Sequence, residues 1–292
     1  MDQRIPHLSG HVVVGVDGSA GDDLAVRLAA EEAARRKVPL QVLHAADPAE
    51  HDLLSVPDDD YADAHAVVDR AAASALAVAP SLDVEKTVVR ATPVGALLDV
   101  SADAGLTVVG SRGLGPVSGL LVGSVGLALA ARGRGPVLIA RGEPAQGPAR
   151  RHPVVVGVAG PECRPAVEEA LRQAARRGVS VRAVHAWSLP LVPRPGPTSD
   201  ARRSPVAATR AHARARLARV LGDVGDTEPA VRLHQDVVRD SPARALVGAS
   251  DHAELLVVAA RRRPPGPGMH LGPVTHGVLS RARCPILVVP VE

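Results

Sequence analysis

The chain has 292 residues, 46% of them apolar and 22% charged, a globular balance that suits one large or two ordinary domains. With one Trp, one Tyr, no Phe and a net charge of only +3, it lacks both the stacking platforms and the charge excess that nucleic-acid binding uses, so no nucleic-acid partner is expected. Cys163 and Cys284 have no metal-ligand spacing, no apolar run reaches the roughly 20 residues of a membrane helix, and the N-terminus shows no signal pattern, so a soluble cytoplasmic protein with reduced thiols is expected.

His11 to Val16 reads as a buried strand, rich in β-branched valine. Asp17-Gly18-Ser19 ends it with turn chemistry, and Asp22 and Asp23 open a helix that closes on Arg35, Arg36 and Lys37, so both ends suit the macrodipole. Leu40 to Ala45 is a second strand. The acidic stretch from Asp47 to Tyr61 leads into an Ala-rich helix ending near Val78. Val84 to Arg90 is a third strand, and Thr92-Pro93 caps a helix over Val94 to Ala104. Leu106 to Gly110 is a fourth strand, followed by a glycine-rich loop and a helix from Gly123 to about Arg132. Pro136 to Arg141 is a fifth strand. Strands alternating with helices imply a parallel sheet covered on both faces.

The pattern then begins again. Pro153 to Val158 repeats the first strand, Gln173 to Gly178 the basic helix end, and Val181 to Trp187 the second strand, with His185-Ala186 in the place of His44-Ala45. Ser241-Pro242 repeats Thr92-Pro93, Leu255 to Val258 the fourth strand, and Cys284 to Val289 the fifth. Ser188 to Pro205 is rich in Pro, Ser and Arg and reads as a long loop; Gly142 to Arg151 reads as the linker. The expected domains are 1–145 and 150–292.

The chemistry concentrates after the fourth strand. Gly110, two residues, Gly113, nine residues, then Gly123-Ser124-Val125 describes a phosphate cradle without a P-loop lysine. Glycines let backbone N–H groups approach an anion, and a helix opening at Gly123 aims its unpaired donors and positive dipole end at it. This spacing, the opening Val14 to Ser19 and the Pro136-Val137-Leu138-Ile139 ending together resemble the nucleotide-binding signature of universal stress proteins, and the resemblance covers both halves. It implies two α/β domains of Rossmann-like, adenine nucleotide α-hydrolase-like type, each a five-stranded parallel sheet in the order 3-2-1-4-5. The ligand is then expected where that order reverses. It also implies ATP, with Mg2+, as cofactor. Carried over by position, Asp17 and Ala45 border adenine and ribose, Gly110 approaches the ribose, and Gly113, Gly123, Ser124 and Val125 hold the phosphates. Arg112 either adds charge there or is merely solvated.

The second copy departs from the signature. Ala159 stands in the place of Asp17, Ala259 and Arg262 in those of Gly110 and Gly113, and Pro273 in that of Ser124, although Gly272 remains. Proline supplies no N–H. Pro264, Pro265 and Pro267 stiffen the loop, and Arg261 or Arg262 either fills the vacated phosphate position or has drifted on a solvent-facing loop. This half is expected not to bind ATP.

No Ser-His-Asp or Cys-His arrangement is readable, no carboxylate pair is placed for acid–base work, and His44 and His185 read as structural groups beside the sheet. The acidic stretch before and into the second helix of copy one, from Asp47 to Asp69, faces an arginine-rich counterpart in copy two, from Arg202 to Arg219. Solvated helix faces are the default reading, and a salt-sensitive contact between copies or chains the sharper one. Fifth strands at sheet edges leave unpaired backbone groups, so Val137 to Arg141 and Ile286 to Val289 are expected to pair, as an internal pseudo-dimer or in a homodimer. The reading is an ATP-binding stress-response regulator with an adenine nucleotide as ligand, an unidentified protein partner and no membrane. A slow Mg-dependent ATPase or phosphotransferase, and an interaction scaffold without nucleotide, remain the alternatives.

Overall fold

The computed structural model describes residues 10–46, 57–111, 123–142, 152–189, 205–222, 224, 227–261 and 271–291. Arg112, Gly113, Arg262 and the prolines at 264, 265 and 267 lie outside them, as do most of the expected linker and of the loop after Ser188. By contact the chain divides into two units. One holds the described residues of 1–144, 260–271 and 285–290, the other those of 145–259, 272–284 and 291–292.

The first unit carries β1 (Val12–Val16), α1 (Asp22–Arg36), β2 (Leu40–Ala46), α2 (Pro57–Val78), β3 (Val84–Arg90), α3 (Pro93–Val100), β4 (Leu106–Gly110), α4 (Ser124–Arg132) and β5 (Val137–Ala140). Its strands run in the order β3-β2-β1-β4-β5, all parallel. Right-handed crossovers carry the chain one way through α1 and α2 and back through α3 and α4, so the two helix pairs take opposite faces. Indeed α1 packs on α2, and α3 on α4. β1 is fully enclosed: Val12, Val13 and Val14 have no exposed surface.

Thr92 caps α3 as its sequence requires, its Oγ accepting from Gly95 N–H at 3.2 Å with Pro93 in the first turn. That helix ends at Val100 rather than Ala104, because Ser101 turns back: its Oγ donates to the Leu98 carbonyl and accepts from Arg134 N–H. A buried polar chain crosses the sheet, His11 Nε2–H donating to Gln41 Oε1 at 3.0 Å and Gln41 Nε2–H to Thr87 Oγ at 2.9 Å.

The second unit carries β6 (Val154–Gly157), a short turn of 3-10 helix at Pro161–Cys163, α5 (Arg164–Arg177), β7 (Val181–Trp187), α6 (Pro205–Gly222), β8 (Leu233–Arg239), α7 (Pro242–Ser250), β9 (Leu255–Arg261) and α8 (Pro273–Arg281). β6 pairs with β7 and with β9, and β7 with β8, all parallel. The last strand, β10 (Ile286–Val291), pairs antiparallel with β5: Ile286 stands opposite Ile139, Leu287 opposite Leu138 and Val288 opposite Val137. The two edge segments that the sequence marks for pairing therefore do pair.

The repeat extends to packing details. A Cβ on Gly15 would meet Leu97 Cδ1 at 2.8 Å, and one on Gly157 would meet Leu246 Cδ1 at the same distance. Both first strands let a leucine of the third helix press onto the backbone. Buried Glu32 binds Arg35 and Arg36, and buried Glu169 binds Arg172 and Arg176. At the end of α1 the copies differ. Lys37 takes the left-handed conformation (φ 56°) that Gly178 takes after α5 (φ 64°). A side chain there costs about 1 kcal/mol. Lys37→Gly is expected to raise the thermal midpoint by about 2 °C, read by calorimetry.

Candidate functional site

The C-terminal ends of β1, β2 and β4 lie side by side. Gly15 is in register with Val109 and Val16 with His44, which places Asp17, Ala45 and Gly110 along one edge. This is the point where the strand order reverses, the usual location of ligand sites in open α/β sheets. Beyond Gly110 the chain is tied down. Ser111 N–H donates to the Ala140 carbonyl at 2.9 Å, and its own carbonyl accepts from Gly123 N–H at 2.8 Å. The start of α4 is thereby fixed beside the end of β4.

Gly123 is the N-cap of α4, with extended backbone (φ −66°, ψ 161°) and no capping side chain. Its N–H is engaged by Ser111. The first intrahelical bond runs from Leu127 N–H to the Gly123 carbonyl at 3.1 Å, so the N–H groups of Ser124, Val125 and Gly126 precede the ladder. Among the described residues, a Cβ on Gly123 would find only the Ser111 carbonyl within 4 Å, at 3.8 Å. The helix therefore begins with three backbone donors that no described backbone group engages, at the positive end of its dipole. Ser124 is exposed and its hydroxyl stands at this end.

On the β1 side, Gly18 adopts φ +83°, a conformation that turns the chain sharply towards α1. Asp17 Oδ1 accepts from Ser19 N–H at 3.0 Å. Asp22, in the first turn of α1, reaches back: its carboxylate accepts from Gly18 N–H at 2.7 Å and from Asp17 N–H at 3.1 Å. The Asp17 and Asp22 side chains come within hydrogen-bonding reach of each other. The sequence reading of the site names Asp17 without Asp22, and the fold brings the two together. Burial first, then the Asp17 charge, push the Asp22 carboxyl from 3.8 up to about 6, against the two backbone N–H groups that favour its ionised form. The sequence does place Asp22 five residues after Asp17, but its position in a first helical turn also accounts for it as a macrodipole residue.

His44 Nδ1–H donates to the Val16 carbonyl at 2.8 Å, and His185 Nδ1–H to the Val158 carbonyl at 2.7 Å. Both histidines fasten the end of a first strand to a second strand, the structural role the sequence assigns them. Among the described residues no three His, Cys, Asp or Glu side chains group as a metal site, and no helix is long and apolar enough to cross a membrane.

The corresponding edge of the second unit is built differently. Ala159 has no carboxylate, and its N–H is taken by Cys163 Sγ at 3.3 Å, the place that Asp22 fills in the first unit. Gly272 caps α8 much as Gly123 caps α4 (φ −64°, ψ 155°), but Pro273 at the first helical position removes one donor. Ala259 lies within β9 and Arg261 at its end.

The family model of the universal stress protein family matches the chain twice, over residues 9–141 and 150–290. A universal stress protein of Mycobacterium tuberculosis is 36% identical over 295 residues, with 97% of this chain and 98% of that protein covered. Among solved structures, a universal stress protein from Archaeoglobus fulgidus superposes with a TM-score of 0.68 at 18% identity, covering 97% of this chain and 98% of its own. Another, solved in complex with cAMP, is 32% identical over 45% of this chain and 96% of its own, with a TM-score of 0.38. The two matches of the family model and the Mycobacterium tuberculosis relative carry the conclusion: the chain belongs to the universal stress protein family.

Proposed function

We propose that this is an ATP-binding stress-response regulator with a single nucleotide site, in the first of its two domains (1–145), and that the second (150–292) is a modified partner domain. The observation that supports it most is the open start of α4. Three backbone donors and an uncrowded Gly123 stand beside Gly110 and Asp17 at the reversal of strand order. Such a helix start suits a phosphate group. Asp17 and Ala45 then border the adenosine, Gly110 approaches the ribose, and Ser124 and Val125 hold phosphate with the Gly123 backbone giving it room. By the spacing of the signature, Gly113 is assigned to the phosphates as well, with Arg112 either adding charge or solvated. Mg2+ would be held by the phosphates and water, since the described residues offer it no cage of their own.

Mass analysis of small molecules carried through purification tests this directly. Adenine nucleotide is expected at close to one equivalent per chain. Mg-ATP added at about 100-fold its dissociation constant is expected to stabilise the stripped protein by about 2.7 kcal/mol. No retained nucleotide and no thermal shift would support the scaffold alternative instead.

A further inference from the structure

We propose that Asp22 is the positioning residue of the nucleotide site and that its state of protonation sets the site's affinity for ATP. The proposal deepens the functional reading above and rests on it. Asp22 reaches out of α1 to bind the N–H groups of Asp17 and Gly18, so it holds the turn that carries Asp17 at the C-terminal edge of the sheet. Burial first, and then the neighbouring Asp17 charge, favour the protonated form of the Asp22 carboxyl.

The charged and titratable groups around Asp22 come from every neighbouring element. Asp17 is on the turn itself and Asp23 is next on α1. Arg70 of α2 has its Nη2 3.9 Å from where a Gly18 Cβ would stand, and His44 of β2 is bound to the Val16 carbonyl. Only Asp17 adds appreciably to the effect of burial on Asp22, and burial and Asp17 act in the same direction, so the carboxyl titrates near 6. In its ionised form, Asp22 adds a second negative charge to an edge that must accept a polyphosphate. In its protonated form it removes that charge from the edge. Affinity therefore rises as pH falls through about 6.

Asp22→Asn tests this, because an amide keeps an acceptor for the two N–H groups and offers Asp17 a donor without charge. ATP affinities of the wild type and of Asp22→Asn are measured by calorimetry at pH 7.5 and pH 5. Taking their ratio at each pH cancels the titration of ATP itself. At pH 7.5 Asp22→Asn is expected to bind about tenfold more tightly, the equivalent of one pKa unit of coupling, and at pH 5 the two are expected to be equal. A ratio near one at both pH values, or a wild-type pH dependence that survives in Asp22→Asn and so belongs to His44 or another group, overturns the proposal while leaving nucleotide binding intact. Absence of ATP binding in both proteins at both pH values overturns the functional reading, and the linkage with it.

A ligand-free measurement reads the same proton separately. The Asp22 carboxyl is raised in the folded chain, so its protonated form favours folding below about 3.8, and this contribution is lost as pH rises through about 6. The urea midpoint of the wild type is expected to fall more steeply over that interval than that of Asp22→Asn. Parallel curves would show that Asp22 carries no such proton.

Discussion

Gly123→Asp is expected to lower ATP affinity at least 100-fold while leaving the fold as stable as before or slightly more so. Gly123 is an N-cap with extended backbone and no side chain to satisfy the donors ahead of it. Asp is among the best residues at such a position and exceeds Gly there by a few tenths of a kcal/mol. Its carboxylate would accept from Val125 or Gly126 N–H and lie favourably at the positive end of α4. That is also where a phosphate must sit, and like charges brought together cost several kcal/mol. Gly123→Ala separates charge from bulk: its Cβ has 3.8 Å to the nearest atom, so it should bind ATP nearly as the wild type does. Equal binding by Gly123→Asp and Gly123→Ala would place the phosphates somewhere other than the start of α4.

The largest effect on stability is expected at Gly105, far from that edge. A Cβ there would stand 2.4 Å from the Gly10 carbonyl oxygen. Neither strand of backbone can move aside cheaply. Gly10 N–H is bound to the Asp103 carbonyl at 2.9 Å and Gly105 N–H to the His11 carbonyl at 2.8 Å, and Arg36 Nη1–H donates to the Gly105 carbonyl at 3.1 Å. Gly105→Ala is expected to cost about 3 kcal/mol, an overpacking penalty at the upper end of the usual range. The thermal midpoint should fall by about 10 °C. Gly248→Ala is the matching control. It lies inside α7 with no described atom within 4 Å of its Cβ position, so alanine should stabilise that helix by up to about 1 kcal/mol. If both substitutions acted alike, the close approach at Gly105 would not be what the chain depends on.

Much of this fold is legible in the sequence because its strands are buried on both faces. Runs such as Val12–Val16 and Leu106–Gly110 are nearly all apolar, and each is followed by a helix of the right length. The cap at Thr92 and the pairing of the two edge segments follow from local chemistry in the same way. β8 is harder to read, since Leu233–Arg239 is partly exposed and carries His234, Gln235 and Asp236 in its middle, which break the apolar run. α2 begins at Pro57, inside the acidic stretch that the sequence places ahead of the helix. At the site, Asp17, Ala45, Gly110 and Gly123 could be placed by position, because each follows or precedes a strongly patterned element. The role of Asp22 could not, since its contact with Asp17 depends on the left-handed turn at Gly18 as well as on spacing. Gly113 and Arg112 lie outside the described residues, so the spacing alone speaks for them.

The pairing of β5 with β10 also bears on how the molecule is made. Among the described residues, Val137–Ala140 finds its antiparallel neighbour in Ile286–Val291, which follows the rest of the second repeat in the chain. The first domain's own strands and helices can assemble early, but one edge of its sheet stays open while the whole second repeat is synthesised. A contact between segments so far apart in sequence closes slowly. During that interval the open edge is a template for another nascent chain. Synthesis rate and chaperone supply, more than the thermodynamics of either sheet, would then govern the yield of correctly closed protein.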